Sequence, residues 1–285
     1  MSTVVFVHAH PDDEALLTSG TMARLSDHGH RVVLIMATDG AAGLVSSAIS
    51  EEQDVAALRQ TELAESGKAL GVAAFHQLPY ADSGLDGQAA TGTGVVRFAD
   101  ADVELVAQQL VDIFERESAD VVVGYDKSGG YGHPDHVHVH RVTRRAAEIY
   151  SFAPLLEATL PREPMLRVVR TIRSARWAVP ALAGLDIGVW QRAYTPRDEL
   201  DYRVDVRAYL RQKRASLAAH ASQATADDGP RTLSALLRLP KPLFRRLMGR
   251  EWYHKVLAGD GARPGLLSEL FGPRYESRRR RRNRK

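Results

Sequence analysis

Two short polar segments hold the side chains of this sequence that could do chemistry together. Residues 8–14 read His-Ala-His-Pro-Asp-Asp-Glu, and residues 133–136 read His-Pro-Asp-His. Imidazoles and carboxylates bind divalent transition metals, and they are also common general acids and bases. Because the sequence contains no cysteine, a transition metal would have to be held by His, Asp or Glu. The two segments therefore point to a metal centre that can activate water.

Each polar segment follows an apolar run that predicts a buried strand. Val4–Val7 precede the first segment, and residues 120–125 precede the second by way of a loop with three glycines. Parallel strands present their carboxyl ends at one edge of a sheet, which is where open α/β sheets bind ligands. If the two strands are neighbours, residues near position 10 meet residues near position 136 around one divalent ion.

His10, Asp13 and His136 would then form a set of two imidazoles and one carboxylate with an open position. Three nitrogen or oxygen ligands and one exchangeable site are the arrangement of catalytic zinc, which acidifies a bound water and polarises a carbonyl. Fe²⁺ or Co²⁺ would also suit these ligands. Asp12, next to a ligand, is placed to act as general base. Glycines around Tyr131 would let that loop approach the metal closely.

Alternating strand and helix patterns predict how these segments are held. The first 150 residues read as repeated strand–loop–helix units with polar residues at each strand exit. Because a unit of this length joins parallel strands by a right-handed crossover, we predict an α/β fold, a three-layer α/β/α Rossmann-like sandwich with a mainly parallel sheet. The predicted strands are 4–7, 31–37, 74–78 and 120–125, and the predicted helices are 15–27, 51–70, 102–116 and one that reaches residue 150.

The second half is less regular and predicts an additional C-terminal helical lobe. Its expected elements are a strand over 155–160, an inserted helical lobe over 163–189, a strand over 200–204, a helix over 206–221 and a basic amphipathic stretch over 232–248. We therefore divide the chain into a Rossmann-like metal-binding catalytic core (1–160), a helical and mixed substrate-capping region that completes the fold (161–275) and a disordered basic tail (276–285).

Positive charge is concentrated at the end of the chain. The net charge is +3, but residues 278–285 carry seven positive charges, so the rest carries 3 − 7 = −4. We interpret this arginine run as a solvated tail, with contact to nucleic acid or an anionic surface as the alternative. No apolar run approaches the ~18 residues of a membrane span, and no basic segment precedes an apolar one at the start. We therefore expect a cytoplasmic enzyme without a membrane span.

The two motifs resemble those of the LmbE/PIG-L family of zinc-dependent N-deacetylases. That family includes N-acetylglucosaminyl-inositol deacetylases and mycothiol-conjugate amidases. The resemblance spans the first 150 residues in order and continues only in fragments. The matching positions are 10–14, 38–40, 82–84 and 131–136, followed by 157–161 and 213–223.

The resemblance implies a role for each residue of the two motifs. His10, Asp13 and His136 would be the metal ligands, and Asp12 would be the base that deprotonates the attacking water. His133, as an imidazolium, would stabilise the oxyanion and protonate the leaving amine.

Further roles follow from the same resemblance. Asp135 would orient His133, and Tyr131 would help to polarise the amide carbonyl. Arg59 and Asp82 fall where the family often binds substrate hydroxyls. Acceptor specificity would then lie in the second half of the chain.

Several of these residues admit another interpretation. His10, Asp12 and Asp13 could instead cap the helix that follows them, and His136 with His140 could chelate a metal as an i, i+4 pair. Glu14 could engage the first helical turn or a substrate hydroxyl. For His8 we expect a structural role.

Polar residues elsewhere are expected to have ordinary structural roles. We expect His138, like His140, to be exposed or beside the ligands, and Asp39 to serve a turn. Lys213 and His220 share a helix face that we expect to be solvated.

Three functional hypotheses follow. The leading one is a zinc-dependent hydrolase that removes the acetyl group from a small-molecule N-acetylamino sugar or glycoconjugate by metal-activated water. A second enzyme hypothesis keeps the metal and cleaves a larger amide, such as a thiol conjugate or a secondary-metabolite intermediate. The third is a non-catalytic module that binds sugar or polyanions. In the enzyme hypotheses, the stretch 177–190 with its tryptophans could line a substrate cleft or pack in the interior.

Overall fold

A computed structural model describes residues 1–41, 55–89, 91, 94–174, 187–224 and 232–276 of the chain. Within these ranges, one sheet of seven strands forms the centre of the molecule. Its strands are β1 (Thr3–His8), β2 (Arg31–Thr38), β3 (Ala74–Tyr80), β4 (Val121–Tyr125), β5 (Leu155–Thr159), β6 (Tyr202–Asp205) and β7 (Arg250–Leu257).

The strand order places the carboxyl ends of β1 and β4 side by side. The order is β3-β2-β1-β4-β5-β7-β6, with the first five strands parallel and β7 antiparallel to both of its neighbours. β2 and β3 extend the sheet from β1 in one direction, and β4 and β5 then extend it from β1 in the other. Such a reversal of strand order opens a crevice at the carboxyl edge of the sheet. The predicted α/β fold with a mainly parallel sheet is confirmed, and both polar segments emerge at this crevice.

Helices flank the sheet. Those of the described ranges are α1 (Asp13–Leu17), α2 (Ser19–Asp27), α3 (Val55–Leu70), α4 (Val103–Glu117), α5 (Gly129–Gly132), α6 (Pro134–Tyr150), α7 (Arg162–Ser174), α8 (Ile187–Arg192), α9 (Leu210–Ala219), α10 (Ala221–Ala224), α11 (Thr232–Arg238), α12 (Lys241–Met248) and α13 (Leu266–Phe271). None of these helices is long and apolar enough to cross a membrane.

Two helical layers bury the sheet from both sides. Helices α4 and α6 pack on the face that holds Val5 and Val7, and α2, α3 and α13 pack on the face that holds Val4 and Phe6. Successive strand residues point to opposite faces, so a strand covered on both sides has to be apolar throughout. This explains the continuous apolar run of β1, and the same burial forces the polar residues that follow it to the strand end.

The helix predicted over 15–27 is divided at Thr18. The backbone φ angle of Thr18 is −130°, which separates α1 from α2. Its hydroxyl lies 2.8 Å from His8 Nε2 at the end of β1. A tertiary contact with the strand end therefore accompanies the break in a helix that local sequence preference would continue.

Strand β7 lies outside the predicted elements. It is inserted antiparallel between β5 and β6, and most of its residues are only half-buried. One of its charged residues, Glu251, is nevertheless buried, 2.6 Å from the ammonium group of Lys213. Because charged and apolar residues share this strand without a clear alternation, its pattern gave no strand signal.

The second half completes the sheet. β6 and β7 continue it beyond β5, so part of the predicted capping region belongs to the same sheet as the core. Helices α7 and α8 occupy the two ends of the lobe predicted over 163–189. The middle of that lobe, the start of the helix predicted over 51–70 and the tail from residue 277 lie outside the described residues. The division into a core (1–160) and a capping region (161–275) stays a prediction.

Candidate metal centre and active site

The two polar segments meet at the crevice between β1 and β4. The strands pair in parallel register, with Val4 opposite Val121 and Phe6 opposite Val123. Pro134 opens α6, where its missing N–H is not needed, and thereby starts the helix directly after the loop from β4. His10 Nδ1 and His136 Nε2 consequently lie 3.3 Å apart, although 126 residues separate them in the chain. The predicted encounter of positions 10 and 136 is confirmed.

Three predicted ligand atoms form a nearly regular triangle. Asp13 Oδ2 lies 3.4 Å from His10 Nδ1 and 3.2 Å from His136 Nε2, and the two nitrogens lie 3.3 Å apart. Ligands at about 2.0–2.1 Å from a tetrahedral ion lie roughly 3.3 Å from one another. The three residues are buried. Their donor atoms would therefore fit one small divalent ion.

The other nitrogen of His10 faces carboxylates. His10 Nε2 lies 3.0 Å from Asp135 Oδ2 and 3.4 Å from Asp82 Oδ1, so a wider cluster of His10, Asp82, His133 and Asp135 could also surround an ion. We favour the triangle with Asp13 and His136. A ligating imidazole normally donates its second N–H to a carboxylate, and the Nε2 contact with Asp135 has this arrangement.

The electrostatics of the cluster call for a cation. Burial opposes charge on His10, but hydrogen bonds with Asp13, Asp135 and Asp82 outweigh it and raise the pKa of His10 well above its ordinary value. Burial likewise opposes charge on Asp13, yet His136 and His10 hold the pKa of this carboxyl well below its ordinary value. Three buried carboxylates around two histidines need positive charge nearby, since an uncompensated buried charge is costly. A divalent ion would supply it.

Asp12 adjoins the triangle without belonging to it. Its backbone has a φ of 128°, a region that L-residues avoid, and its side chain makes no cap hydrogen bond to α1. The helix-cap interpretation is therefore wrong. Burial, and then the charge of Asp13, raise the pKa of Asp12 to about 7. A carboxylate with a pKa near neutrality is well suited to accept and return a proton.

Asp135 and His133 are arranged differently from the prediction. The Asp135 carboxylate accepts hydrogen bonds from the Ser83 amide at 2.9 Å and the Ser83 hydroxyl at 2.5 Å, in addition to facing His10. Only the backbone N–H of Asp135 contacts His133, donating to Nδ1 at 3.2 Å. Asp135 therefore orients His10 with its side chain and His133 with its amide. The reason is that the Ser83 loop supplies two donors that draw the carboxylate away from His133.

His133 lies in surroundings that oppose its protonation. Burial, and then the neighbouring His10 and His136, lower the pKa of His133 to about 4. This favours the neutral ring, contrary to the imidazolium that we predicted. Since Nδ1 accepts the Asp135 N–H, the neutral ring carries its proton on Nε2. His133 can thus act as a hydrogen-bond donor without a positive charge.

Tyr131 stands at the rim of the site on a glycine-rich loop. The residue is 41% exposed, and its ring meets the rings of His133 and His136 edge-on. Gly129 has a φ of 57°, and a Cβ there would lie 2.6 Å from the backbone nitrogen of Val137, so this turn against α6 requires glycine.

Asp126, which the sequence analysis passed over, holds the glycine-rich loop in place. Its Oδ1 accepts from the backbone N–H groups of Ser128 and Gly130, at 2.9 and 3.2 Å, and its Oδ2 accepts from the Thr159 hydroxyl at 2.5 Å. A carboxylate at the start of a loop, three residues before a glycine pair, was the signal available in the sequence.

Arg59 and Asp82 border the same crevice. Arg59 is 2% exposed and donates from Nη1 to the Gly40 carbonyl, while its Nε and Nη2 have no hydrogen-bond partner among the described residues. Asp82 accepts from the Gly84 amide at 2.9 Å, and hydrogen bonds with His10 hold the pKa of Asp82 far below its ordinary value against the effect of burial. Their binding of substrate hydroxyls stays a prediction.

A buried histidine and a tyrosine support the triangle from beneath. His8 Nδ1 lies 3.1 Å from the Tyr125 hydroxyl, which also hydrogen-bonds Asp13, and the Tyr125 ring stacks on His136 at 4.5 Å. The structural role expected for His8 agrees with this placement. Tyr125 escaped the sequence analysis because it reads as an ordinary strand residue.

The remaining alternatives are decided by contacts. His140 Nδ1 lies 2.8 Å from Glu157 Oε1, and the candidate metal-binding groups of the described residues contain His136 with His10 and His133 but not His140. His138 is buried edge-on against Phe98 at 4.8 Å rather than exposed. Asp39 accepts the N–H of residue 41, as expected for a turn.

The helix face predicted to be solvated is buried. Lys213 and His220 are 1% and 0% exposed, and each lies 2.6 Å from a buried glutamate. The partner of His220 is Glu14, whose side chain is fully buried and so does more than engage the first helical turn; its contact with a substrate hydroxyl stays a prediction. The partner glutamates lie about 200 and 40 residues away in sequence, at 14 and 251, so no local pattern could reveal either pair.

Comparison with known proteins decides the family. A family model described as PIG-L, GlcNAc-PI de-N-acetylase, matches residues 5–147, which is half of the chain and includes both motifs. The chain belongs to the PIG-L family. Deacetylases of this family are metal-dependent, and the buried cluster of His and Asp described above could hold the ion.

Relatives extend the match into the second half. A 1D-myo-inositol 2-acetamido-2-deoxy-alpha-D-glucopyranoside deacetylase from Thermomonospora curvata is 34% identical over 298 residues, covering 94% of this chain and 97% of the relative. The deacetylase of the same name from Acidothermus cellulolyticus is 34% identical over 283 residues, covering 93% and 94%. The fragmentary resemblance seen in the second half is therefore part of a continuous one.

A solved structure shares the fold. The deacetylase of the antimicrobial reagent A40926 pseudoaglycone superposes with a TM-score of 0.59 at 18% identity, covering 88% of this chain and 96% of that one. Together with the family, these findings make the chain an enzyme, an N-deacetylase. The hypothesis of a non-catalytic binding module is wrong.

Proposed function

We propose that this PIG-L enzyme removes the acetyl group from an N-acetylglucosaminyl-inositol or a closely related glycoconjugate. The observation that carries the proposal is the triangle of His10, Asp13 and His136 with Asp12 beside it. The two relatives that cover nearly the whole chain, both deacetylases of N-acetylglucosaminyl-inositol, support this choice of substrate class.

His10, Asp13 and His136 would hold the metal ion, for which we propose Zn²⁺. Two imidazoles and one carboxylate suit Zn²⁺, although Fe²⁺ and Co²⁺ accept the same ligands. When bound, such an ion polarises an amide carbonyl and lowers the pKa of a water molecule. Asp135 keeps His10 in the tautomer whose Nδ1 faces the triangle.

Asp12 would act as the general base. It is next to a ligand but free of the triangle, and its pKa of about 7 lets it be ionised when water must be deprotonated. Water adds to the amide carbon, and Asp12 takes the proton that the water loses. The departing nitrogen needs one proton to leave as an amine. Asp12 returns the proton that it took from water, so that amide and water give amine and acetic acid, which then ionises to acetate.

His133 and Tyr131 would stabilise the oxygen that gains negative charge. His133 presents its Nε2–H because Nδ1 already accepts the Asp135 amide. Burial, followed by the charge of Asp13, raises the pKa of Tyr131 above its ordinary value, so its hydroxyl keeps its proton and can donate. Two donors aimed at a developing oxyanion are a common source of rate acceleration.

Arg59 and Asp82 would bind hydroxyl groups of the substrate. Buried N–H groups are normally satisfied, and those on Nε and Nη2 of Arg59, which have no partner among the described residues, lie in a region that Asp12 and Asp82 make acidic. A substrate rich in hydroxyls would supply the missing acceptors. An inositol glycoside has this character.

Activity on a substrate panel tests the proposal. Zinc-loaded enzyme is assayed for acetate and free amine with N-acetylglucosaminyl-inositol, N-acetylglucosamine and glucosaminyl-inositol amides of bulkier acids. We expect the highest kcat/KM for the first, and a loss of about 10²-fold or more in Asp12→Asn. Faster release of a bulkier acid would assign the enzyme to larger amides instead.

A further inference from the structure

Asp12 holds a backbone conformation that its own residue type does not favour. Its φ of 128° and ψ of −24° lie outside the regions open to most L-residues. Such a conformation persists only where the surrounding structure enforces it. Two groups contact the Asp12 backbone: the Asp12 carbonyl accepts the Ala15 N–H at 3.1 Å, and the side chain of Glu14 accepts the Asp12 N–H with Oε2 at 3.1 Å.

Glu14 is itself fixed from the other half of the chain. Its Oε1 lies 2.6 Å from His220 Nε2 and accepts the Ser66 hydroxyl at 2.6 Å. The side chains of Glu14 and His220 are both 0% exposed. Ser66 in α3 and Ser216 in α9 are 2.7 Å apart, which joins the two helices that bring these partners together. One carboxylate thus connects the Asp12 backbone to a residue 206 positions away from Glu14.

The hydrogen bond to Glu14 is the one that orients His220. Nδ1 of His220 has no hydrogen-bond partner among the described residues. Burial opposes protonation of this ring, but the carboxylates of Glu14, Asp12 and Glu62 outweigh it and raise the pKa of His220 to about 9. Nε2 therefore donates to Glu14 over the neutral pH range.

We propose that Glu14 and His220 are positioning residues that hold the backbone of Asp12 and so aim its carboxylate. The proposal rests on the function proposed above for Asp12. It assigns a task in the reaction to the far end of α9, a helix that supplies none of the ligands. Relative to apolar residues at both positions, this buried ion pair costs desolvation energy and so lowers the free energy of unfolding.

A neighbouring ion pair provides a matched structural control. Lys213, also on α9, lies 2.6 Å from Glu251, and both side chains are buried. Glu251 accepts the backbone N–H groups of Gly20 and Thr21, and Lys213 also donates to the Leu16 carbonyl at 2.9 Å, so this pair joins α9 to α2 and to the end of α1 without a hydrogen bond to Asp12. Lys213→Met should lower the Tm and leave kcat within about two-fold.

The test compares two replacements of His220 in two backgrounds. His220→Leu removes the donor, and His220→Gln keeps an N–H that can reach Glu14. In the zinc-loaded enzyme, His220→Leu should lower kcat about 10- to 100-fold with little change in KM, and His220→Gln should recover most of the loss. In Asp12→Asn, the same His220→Leu change should have no further effect, because the group being positioned no longer accepts a proton.

Measurements other than activity complete the test. Metal content and the visible spectrum of the Co²⁺-substituted protein should be the same in His220→Leu as in the parent, since Asp12 is outside the ligand set. If His220→Leu folds poorly, Glu14→Gln takes its place and is compared with His220→Gln in the parent and in Asp12→Asn. Glu14→Gln is suitable because it loses one of the two accepting oxygens.

Distinct outcomes overturn distinct claims. Equal losses from His220→Leu in the parent and in Asp12→Asn, an altered Co²⁺ spectrum, or an equal loss of kcat in Lys213→Met would each reject the positioning role. If Asp12→Asn itself kept full activity, the proposed function of Asp12 would fail, whatever the His220 variants do.

Discussion

His10 donates from Nε2 to the carboxylate of Asp135 at 3.0 Å, and the opposite nitrogen of the same ring faces Asp13 and His136. An ionised carboxylate can only accept, so this contact fixes which nitrogen of His10 carries the proton. Asp135, predicted to serve His133, is therefore placed to prepare His10 for the metal. Two hydrogen bonds from Ser83 fix the Asp135 carboxylate in this position.

Replacing Asp135 should chiefly lower the affinity of the site for the metal ion. Asp135→Ala removes the group that orients His10, and such a loss typically costs about 10- to 100-fold in metal affinity. Competition with a chelator of known affinity measures it. Asp205→Asn, in an exposed pair with Arg207, is the control and should leave the affinity unchanged. An Asp135→Ala enzyme that bound Zn²⁺ as tightly as the parent would contradict the assignment.

Metal removal should lower thermal stability as well as activity. Without a cation, the buried carboxylates around His10 lack compensating positive charge. An ion that binds only the folded chain raises the free energy of unfolding, by about 2.7 kcal/mol at 100 times its Kd. Differential scanning calorimetry with and without Zn²⁺ would show the rise in Tm. His140→Gln should keep this rise, because His140 pairs with Glu157, whereas His136→Gln should lose it. The same rise in both variants would contradict the ligand assignment.

The parts of the site on short local motifs were predictable from the sequence. Polar residues directly after a fully apolar strand cannot stay in the core, and a parallel sheet brings such strand ends to one edge. This is why His10 and His136 could be expected to meet. It is also why β1 and β4 could be expected to be neighbours, although the sequence does not state their order.

Contacts made across the fold were not predictable in the same way. Glu14 and His220 look like surface residues of two separate helices, and only the packing of α3 and α9 buries them together. From the sequence, Asp135 could orient either His133 or His10, and the position of the Ser83 loop decides between them. A sequence pattern shows which face of an element is apolar. It does not show which residue of another element will be the hydrogen-bond partner of a buried polar side chain.

Arg59 should govern substrate binding more than the chemical step. Arg59→Gln keeps a side-chain N–H donor and removes the charge together with Nε and Nη2, whose N–H groups have no partner among the described residues. We expect KM for N-acetylglucosaminyl-inositol to rise about ten-fold with kcat nearly unchanged, since a contact made equally in the ground and transition states affects KM. Steady-state kinetics measure both values. An equal fall in kcat and kcat/KM would instead place Arg59 at the reacting amide.

The Glu14–His220 pair should make stability fall as the pH rises. The pKa of His220 is about 9 in the folded chain against an ordinary value of 6.5. Folding therefore favours the protonated ring. Its contribution is fully present below pH 6.5 and is lost as the pH rises through 9. A difference of this size corresponds to a contribution on the order of 3 kcal/mol.

Urea unfolding of the zinc-loaded parent and of His220→Gln, from about pH 6 to about pH 9.5, measures this contribution. Subtracting the two free energies of unfolding removes the titrations that both proteins share, so the remaining slope belongs to His220. The advantage of the parent should shrink across this range. In a Glu14→Gln background the slope should be much smaller, because the carboxylate that contributes most to the raised pKa is gone. A difference that stayed flat or grew with pH would mean that the ring is already neutral when it is buried against Glu14.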